Sequence, residues 1–135
     1  MSINESAHSS IVYLVHNGIG AVENYIDSGG DVNYQDFFPV LGDGRSMLHE
    51  AASGGLLDVV KLLLSRGADI NLLSLSLQSP IWEACSADET ESALYLISAG
   101  ADVNSRNVGG YTPLGRVPGT NAVLIDAMRS AGATL

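Results

Sequence analysis

The stretch Gly67-Ala68-Asp69-Ile70-Asn71 decides the fold, because the same pattern returns as Gly100-Ala101-Asp102-Val103-Asn104. A second marker returns at the same spacing. Ser46-Met47-Leu48-His49-Glu50-Ala51 becomes Ser79-Pro80-Ile81-Trp82-Glu83-Ala84 one period later and Thr112-Pro113-Leu114 two periods later. Both markers give a 33-residue period. Two independent markers at one period predict an array of structural repeats.

Each repeat unit is predicted to contain two short helices and a connector. The hydroxyl residue that opens a unit can accept a hydrogen bond from the first free N–H groups of a helix, and a proline at the next position removes no donor that the helix needs. The helix starts predicted in this way are Ser46, Ser79 and Thr112. Gly67 and Gly100 are predicted to end the second helices in the left-handed conformation.

These motifs resemble the ankyrin repeat, above all in Leu48-His49-Glu50-Ala51-Ala52, in Asp58-Val59-Val60-Lys61-Leu62-Leu63-Leu64 and in the segment that begins at Gly67. Asp27-Ser28-Gly29-Gly30-Asp31-Val32-Asn33 resembles the end of a first repeat, and residues 112–132 resemble a last repeat that is one residue short. The resemblance implies an all-α solenoid of about four stacked helix–turn–helix repeats joined by hairpin-like connectors, called fingers below. We expect one domain over residues 1–135, with approximate repeats 6–38, 39–73, 74–106 and 107–135 and with the outer repeats as caps.

Charge and composition narrow the class of partner. The 135 residues carry six Lys and Arg against fifteen Asp and Glu, for a formal charge of −9. Nucleic acid and anionic membranes are therefore not expected as partners, because both are bound through basic residues. The single Cys85 excludes a disulfide within the monomer. The absence of a basic, apolar leader at Met1 predicts a cytoplasmic protein.

The sequence offers no pattern of catalytic or metal-binding residues. His8, His16 and His49 lack the spacing of metal ligands, and Gly18-Ile19-Gly20 is too short for a phosphate-binding loop. No Ser–His–Asp constellation can be argued on a repeat surface that offers no deep pocket. We therefore expect no catalytic residue, no cofactor and no metal, and an enzyme on this scaffold is the least favoured class.

The first finger is predicted to carry an insertion. Ser46 comes thirteen positions after Asn33, whereas the corresponding residues of the two later fingers are eight positions apart. Both phenylalanines of the chain, Phe37 and Phe38, lie in the inserted stretch. Two readings stay open: Phe37 and Val40 fold back to cap the first groove between repeats, or one of the two rings is an exposed anchor for a partner.

The later fingers add further candidate contacts. Four leucines occupy the second finger, and the resemblance implies that Leu75 lies near its tip. Tyr111 is placed on the contact side of the third finger. Phe37 or Phe38, Leu75 and Tyr111 are expected to form a row one repeat apart. Apolar side chains at such tips are harder to explain as core than as contacts.

The first helices supply polar candidates. The resemblance implies that His49 is a structural histidine that bonds to the backbone of the adjacent repeat, and Trp82 stands at the same position one repeat later. Acidic residues either complement the helix dipole or make the concave side negative, which would speed capture of a basic partner. The candidate partner-binding set taken from the first helices and their flanking positions is Arg45, Glu50, Gln78, Trp82, Glu83, Asp88 and Glu89.

The favoured function is a protein-binding module that contacts its partner through the fingers and the concave face and is monomeric when free. We expect a stand-alone protein, similar to bacterial ankyrin-type immunity proteins that neutralise a cognate basic toxin. The alternative is a regulatory or host-directed ankyrin protein, such as a secreted effector or viral factor, that masks a eukaryotic target.

Overall fold

Helices account for the secondary structure of residues 11–37 and 43–135, which are the residues that the computed structural model describes. The helices in chain order are α1 (described over residues 11–16), α2 (Ile19–Asp27), α3 (Met47–Ser53), α4 (Leu57–Ser65), α5 (Pro80–Ser86), α6 (Thr90–Ser98), α7 (Pro113–Arg116) and α8 (Ala122–Ser130). An isolated antiparallel bridge joins Asp36 to Arg45 in the first finger.

The helices form two layers. The first helices of successive units, α3, α5 and α7, pack against one another, and so do the second helices α2, α4, α6 and α8. Each unit contacts the next one along the chain, and α3, α5 and α7 also pack on their own partners α4, α6 and α8. This arrangement confirms the all-α solenoid of about four stacked helix pairs. The exact boundaries of the repeats stay a prediction.

The predicted hydroxyl residues start the first helices. Ser46 Oγ accepts from the His49 N–H at 3.4 Å, and Ser79 Oγ accepts from the Trp82 N–H at 3.3 Å. Thr112 Oγ1 accepts from the Gly115 N–H at 3.2 Å. Such caps satisfy N–H groups that have no partner inside the helix.

Glycine ends the second helix of each unit. The φ angles of Gly29, Gly67, Gly100 and Gly132 lie between 89° and 97°, a region in which a Cβ atom is strained. Gly67 and Gly100 follow the 33-residue period, but Gly132 comes one position early. The last unit is therefore one residue shorter than the central ones.

The Asp-x-Asn segment that follows Gly29, Gly67 and Gly100 links neighbouring units. Asn33 Oδ1 accepts from the Asp69 N–H at 2.8 Å, and Asn71 Oδ1 accepts from the Asp102 N–H at 2.9 Å. Asn104 continues the series by accepting from the Thr134 N–H at 2.9 Å. The repeated asparagine therefore has a direct structural cause, since it holds the next repeat in register.

Aliphatic side chains fill the space between the two layers. The largest buried side chains include Met47, Leu48, Leu63, Ile81, Leu96, Leu124 and Met128. Removing each such side chain from water contributes roughly 1.5–3 kcal/mol. Cys85 lies in the same core with no exposed surface, and burial raises the pKa of its thiol to about 12.

Candidate protein-binding surface

The second and third fingers are tight hairpins of the same construction. In the second finger Ser74 N–H donates to the Gln78 carbonyl and Leu77 N–H donates to the Ser74 carbonyl, both at 3.0 Å. The third finger repeats both bonds with Asn107 bonded to Tyr111, at 3.0 Å, and Gly110 bonded to Asn107, at 2.9 Å. A three-residue loop that closes with a left-handed residue is a standard hairpin geometry.

The first finger uses the same closing bonds around a longer loop. Asp36 N–H donates to the Arg45 carbonyl at 2.9 Å, and Gly44 N–H donates to the Asp36 carbonyl at 2.7 Å. Eight residues, 37–44, lie between the paired positions, against three in each later finger. The five additional residues are the insertion expected from the sequence. Phe38 and Val40 lie outside the described residues.

Backbone hydrogen bonds tie the three fingers to one another. Leu75 N–H donates to the Asp43 carbonyl at 2.7 Å, and Ser76 Oγ donates to Asp43 Oδ2 at 2.7 Å. Val108 N–H donates to the Ser76 carbonyl at 2.9 Å. The finger tips are therefore held in one continuous row before any partner is present.

Apolar side chains project from this row. The exposed fractions are 54% for Phe37, 60% for Leu75, 68% for Val108 and 57% for Tyr111. The Phe37 ring also covers Gly44, where a Cβ would overlap it. Phe37 therefore rests on its own finger with one edge but leaves more than half of its surface to solvent. We call Phe37, Leu75, Val108 and Tyr111 the apolar finger row.

The register of this row differs from the expectation in one place. Leu75 and Val108 are one repeat period apart and follow Ser74 and Asn107 directly. Tyr111 is the closing residue of its hairpin and corresponds to Gln78, not to Leu75. It is thus a neighbour of the tip position, which Val108 occupies. The reason is that the closing hydrogen bonds determine which residues of two fingers correspond, whereas the prediction matched the large side chains of successive fingers to one another.

His49 has a structural role. Its Nδ1 accepts from the Ser46 N–H at 3.0 Å, so its Nε2 carries the proton and donates to the Gln78 carbonyl at 2.8 Å. Burial lowers the pKa of this imidazole, although the Gln78 carbonyl and the Glu83 charge oppose the effect. His49 is therefore neutral and joins α3 to the second finger.

Trp82 makes the equivalent bond one repeat later. Its indole Nε1 donates to the Tyr111 carbonyl at 3.3 Å. That carbonyl lies one repeat period after the Gln78 carbonyl that His49 uses. Only 6% of Trp82 is exposed. The tryptophan thus replaces the histidine as a donor to the next finger, which leaves little of its surface for a partner.

A polar ladder runs across three repeats beside the fingers. The Arg45 guanidinium pairs with Glu50 Oε1 at 3.0 Å and with Glu83 Oε2 at 2.9 Å. Gln78 Nε2 donates to Glu83 Oε1 at 2.8 Å, and Asn107 Nδ2 donates to Gln78 Oε1 at 3.2 Å. Burial opposes the charge of Arg45, but the two carboxylates outweigh it and the pKa of Arg45 is raised. We call these five residues the polar ladder.

This ladder changes the expected charge of the first-helix side. Glu50 and Glu83 share one guanidinium, so the three groups together carry a net charge of −1. Asp88 Oδ1 accepts from Asn121 Nδ2 at 2.7 Å, and the Glu89 carboxylate lies over Gly55, where a Cβ would overlap it. The four acidic candidates therefore do not form one free cluster, because each already has a neighbour within the fold.

Two contributors to this surface were not anticipated from the sequence. Arg116 lies with its guanidinium carbon 5.7 Å from the ring centroids of both Trp82 and Tyr111, within the range of cation–π attraction. Val108 could have been found by moving one period along the chain from Leu75. Arg116 gave no such signal, because α7 has only four residues and departs from the repeat pattern.

Within residues 11–37 and 43–135 no group of three or more His, Cys, Asp or Glu side chains could hold a metal ion. None of the helices described there is long and apolar enough to cross a membrane.

Known proteins resemble the chain over part of its length. A segment of 62 residues, 45% of this chain, is 45% identical to serine/threonine-protein kinase 12 of Arabidopsis thaliana, of which it covers 12%. A segment of 77 residues, 56% of this chain, is 39% identical to the ankyrin repeat and KH domain-containing protein mask-1 of Caenorhabditis elegans, of which it covers 3%. The chain thus spans a small part of each relative, and the kinase match carries no activity over to it.

The family model described as ankyrin repeats, in three copies, matches residues 11–107. That range is more than half of the chain, and it contains α1 to α6 with the first two fingers and the glycine ends at Gly29, Gly67 and Gly100. Ankyrin repeats are non-catalytic modules for protein–protein interaction. The chain belongs to the ankyrin repeat family.

Proposed function

We propose that this protein binds a basic protein partner through the apolar finger row and the neighbouring polar ladder, and that it acts as an immunity protein that neutralises a toxin. The observation that carries the proposal is the apolar finger row itself. Its four side chains are each more than half exposed although the backbone beneath them is fixed by hydrogen bonds. Exposed aromatic and aliphatic side chains on a rigid support favour binding, because little ordering is needed on association.

The polar ladder suits the edge of such an interface. Its side chains are already oriented by one another, from Glu50 at one end to Asn107 at the other. A polar border around an apolar centre is the usual anatomy of a protein interface. Partner groups could therefore bind to a preformed surface rather than to mobile side chains.

The charge of the protein supports a basic partner. The formal charge of −9 produces an attractive field for cationic proteins, which raises the association rate at low salt. Arg45 compensates only one of the two carboxylates that it contacts. A basic toxin fits this field, as does a basic surface on a eukaryotic target, which is the partner of the alternative regulatory or host-directed function.

The test combines a rescue assay with binding kinetics. The chain is co-expressed with the protein of each neighbouring open reading frame whose product is toxic when expressed alone, and growth is measured. Surface plasmon resonance with that protein then compares Leu75→Ala, Val108→Ala and Glu89→Lys with a control, Ser98→Ala, on α6. We expect the two alanine variants to dissociate about fivefold faster or more, and Glu89→Lys to associate more slowly at low salt only.

The outcomes separate the parts of the proposal. If Ser98→Ala weakens binding as much as Leu75→Ala, the finger surface is the wrong face. If the adjacent protein binds through the fingers but co-expression gives no rescue, the surface is supported and the immunity role is rejected in favour of the regulatory alternative.

A further inference from the structure

One finger residue adopts a backbone conformation that its side chain disfavours. The φ angle of Leu77 is 61°, whereas the corresponding positions of the first and third fingers hold Gly44, with φ of 68°, and Gly110, with φ of 81°. All three residues precede the closing residue of a hairpin. The hairpin therefore requires a left-handed residue here, and only the second finger meets the requirement without glycine.

Leu77 carries this strain although its side chain is not part of the hydrophobic core or of the side chains packed against it. In this conformation Cβ crowds the following carbonyl oxygen, and residues other than Gly, Asn and Asp seldom adopt it. The other non-glycine residue with positive φ, Asp88, accepts a hydrogen bond from Asn121 through its side chain. The side chain of Leu77 is instead 44% exposed. Its apolar surface is thus left partly in water at a position that favours glycine.

We infer that Leu77 is a specificity-determining contact residue, kept at the cost of the free protein because its side chain binds the partner. This inference rests on the proposed function and deepens it. A strained residue at an exposed position points to function when the fold itself gains nothing from it.

The neighbours of Leu77 define the chemistry of what it contacts. Leu75 lies two residues away in the same hairpin and is 60% exposed. The Asp43 carboxylate flanks this hairpin through Ser76, whereas Glu83 on the other side is already paired with Arg45. The surface that fits is an apolar patch on a protein, with a Lys or Arg side chain on the side that faces Asp43.

The first arm of the test measures the stability of the free protein. Leu77→Gly and Leu77→Asn remove the strained side chain, and Asn tolerates the left-handed region without the added chain entropy of glycine. We expect the Tm of Leu77→Asn to equal or exceed that of the wild type by up to about 5 °C. The converse control is Gly110→Leu. A Cβ at Gly110 would have no atom within 4 Å, so this substitution introduces only the strain of the positive φ angle. Its Tm should fall by about 5 °C.

The second arm measures binding to the neighbouring-gene product used in the co-expression test above. We expect Leu77→Asn and Leu77→Gly to weaken binding by about tenfold or more, because the apolar contact is lost. Leu75→Asn, in the same turn but without the left-handed backbone, is the matched variant that tests the finger surface alone.

A more stable but weaker-binding Leu77→Asn supports the inference. Tm values that fall in both Leu77 variants would overturn it, because the side chain would then serve the fold. Unchanged binding in both Leu77 variants, with binding weakened by Leu75→Asn, overturns the inference and leaves the proposed function standing. Unchanged binding in all three variants rejects the proposed function as well.

Discussion

A stability change with pH should report the proton on His49. The imidazole is fully buried, accepts from the Ser46 N–H through Nδ1 and donates to the Gln78 carbonyl through Nε2. A second proton would occupy the lone pair that Nδ1 uses as an acceptor and would place a charge in the core. The perturbation that isolates this group is His49→Gln, because Gln at the third helical position can still accept from the N–H of the capping residue and does not titrate.

The stability of the protein should fall as the pH falls, and the direction of this change follows from the lowered pKa of His49. Burial lowers the pKa of His49 in the folded protein below the ordinary value near 6.5, so the unfolded chain binds the proton first as the pH falls. The contribution of His49 to stability is therefore complete above about pH 6.5 and is lost progressively below it. At pH 5.5 the loss approaches about 1.4 kcal/mol if His49 stays neutral, which lowers Tm by about 4–6 °C in a chain of this size.

Urea unfolding at pH 7.5, 6.5 and 5.5 measures this loss as a change in the free energy of unfolding. The wild type should lose stability between pH 6.5 and 5.5, and His49→Gln should lose about 1 kcal/mol less over the same interval. His16→Gln is the matched control, since His16 is half exposed and its substitution leaves the buried hydrogen bonds of His49 in place. An equal pH dependence in the wild type and in His49→Gln would refute the role of the buried imidazole.

Three further predictions address the links between repeats and the core. Asn71→Ala removes the acceptor of the Asp102 N–H and should lower the free energy of unfolding by about 1 kcal/mol in urea titration, whereas a matched Asn24→Ala, at an exposed position of α2, should not lower it. Arg45→Met leaves the nearly buried Glu83 without its ion pair and should lower the free energy of unfolding by about 1–2 kcal/mol, which is less than the loss expected when a fully buried ion pair is broken. A Tm equal to that of the wild type would contradict this. Cys85 should react with a thiol reagent at pH 8 only in denaturant, because its pKa is about 12 and its side chain is buried; rapid labelling of the native protein would show that the core opens.

The sequence was sufficient for features that depend on neighbours along the chain. Ser46 caps its helix through a backbone group three residues away, and Gly67 ends a helix because its own φ angle is positive. Such effects need only local geometry, and the 33-residue period then repeats them. The resemblance to the ankyrin repeat implied that His49 would bond to the backbone of the adjacent repeat, and the structure shows this bond at the Gln78 carbonyl.

The tertiary structure decided what happens between fingers and between side chains on different repeats. Arg45 and Glu83 are far apart in sequence, and only the stacking of α3 on α5 brings them to 2.9 Å, so the sequence could not show that this carboxylate is already paired. Tyr111 likewise occupies the position of its hairpin that Gln78 occupies in the preceding one, because the hydrogen bonds between the two arms of each hairpin determine which residues correspond. The strain at Leu77 is also a property of the folded hairpin, since the φ angle of a leucine cannot be read from the sequence. Short-range sterics and hydrogen bonding thus determined the repeat, whereas long-range packing determined which of its exposed and charged groups are left for a partner.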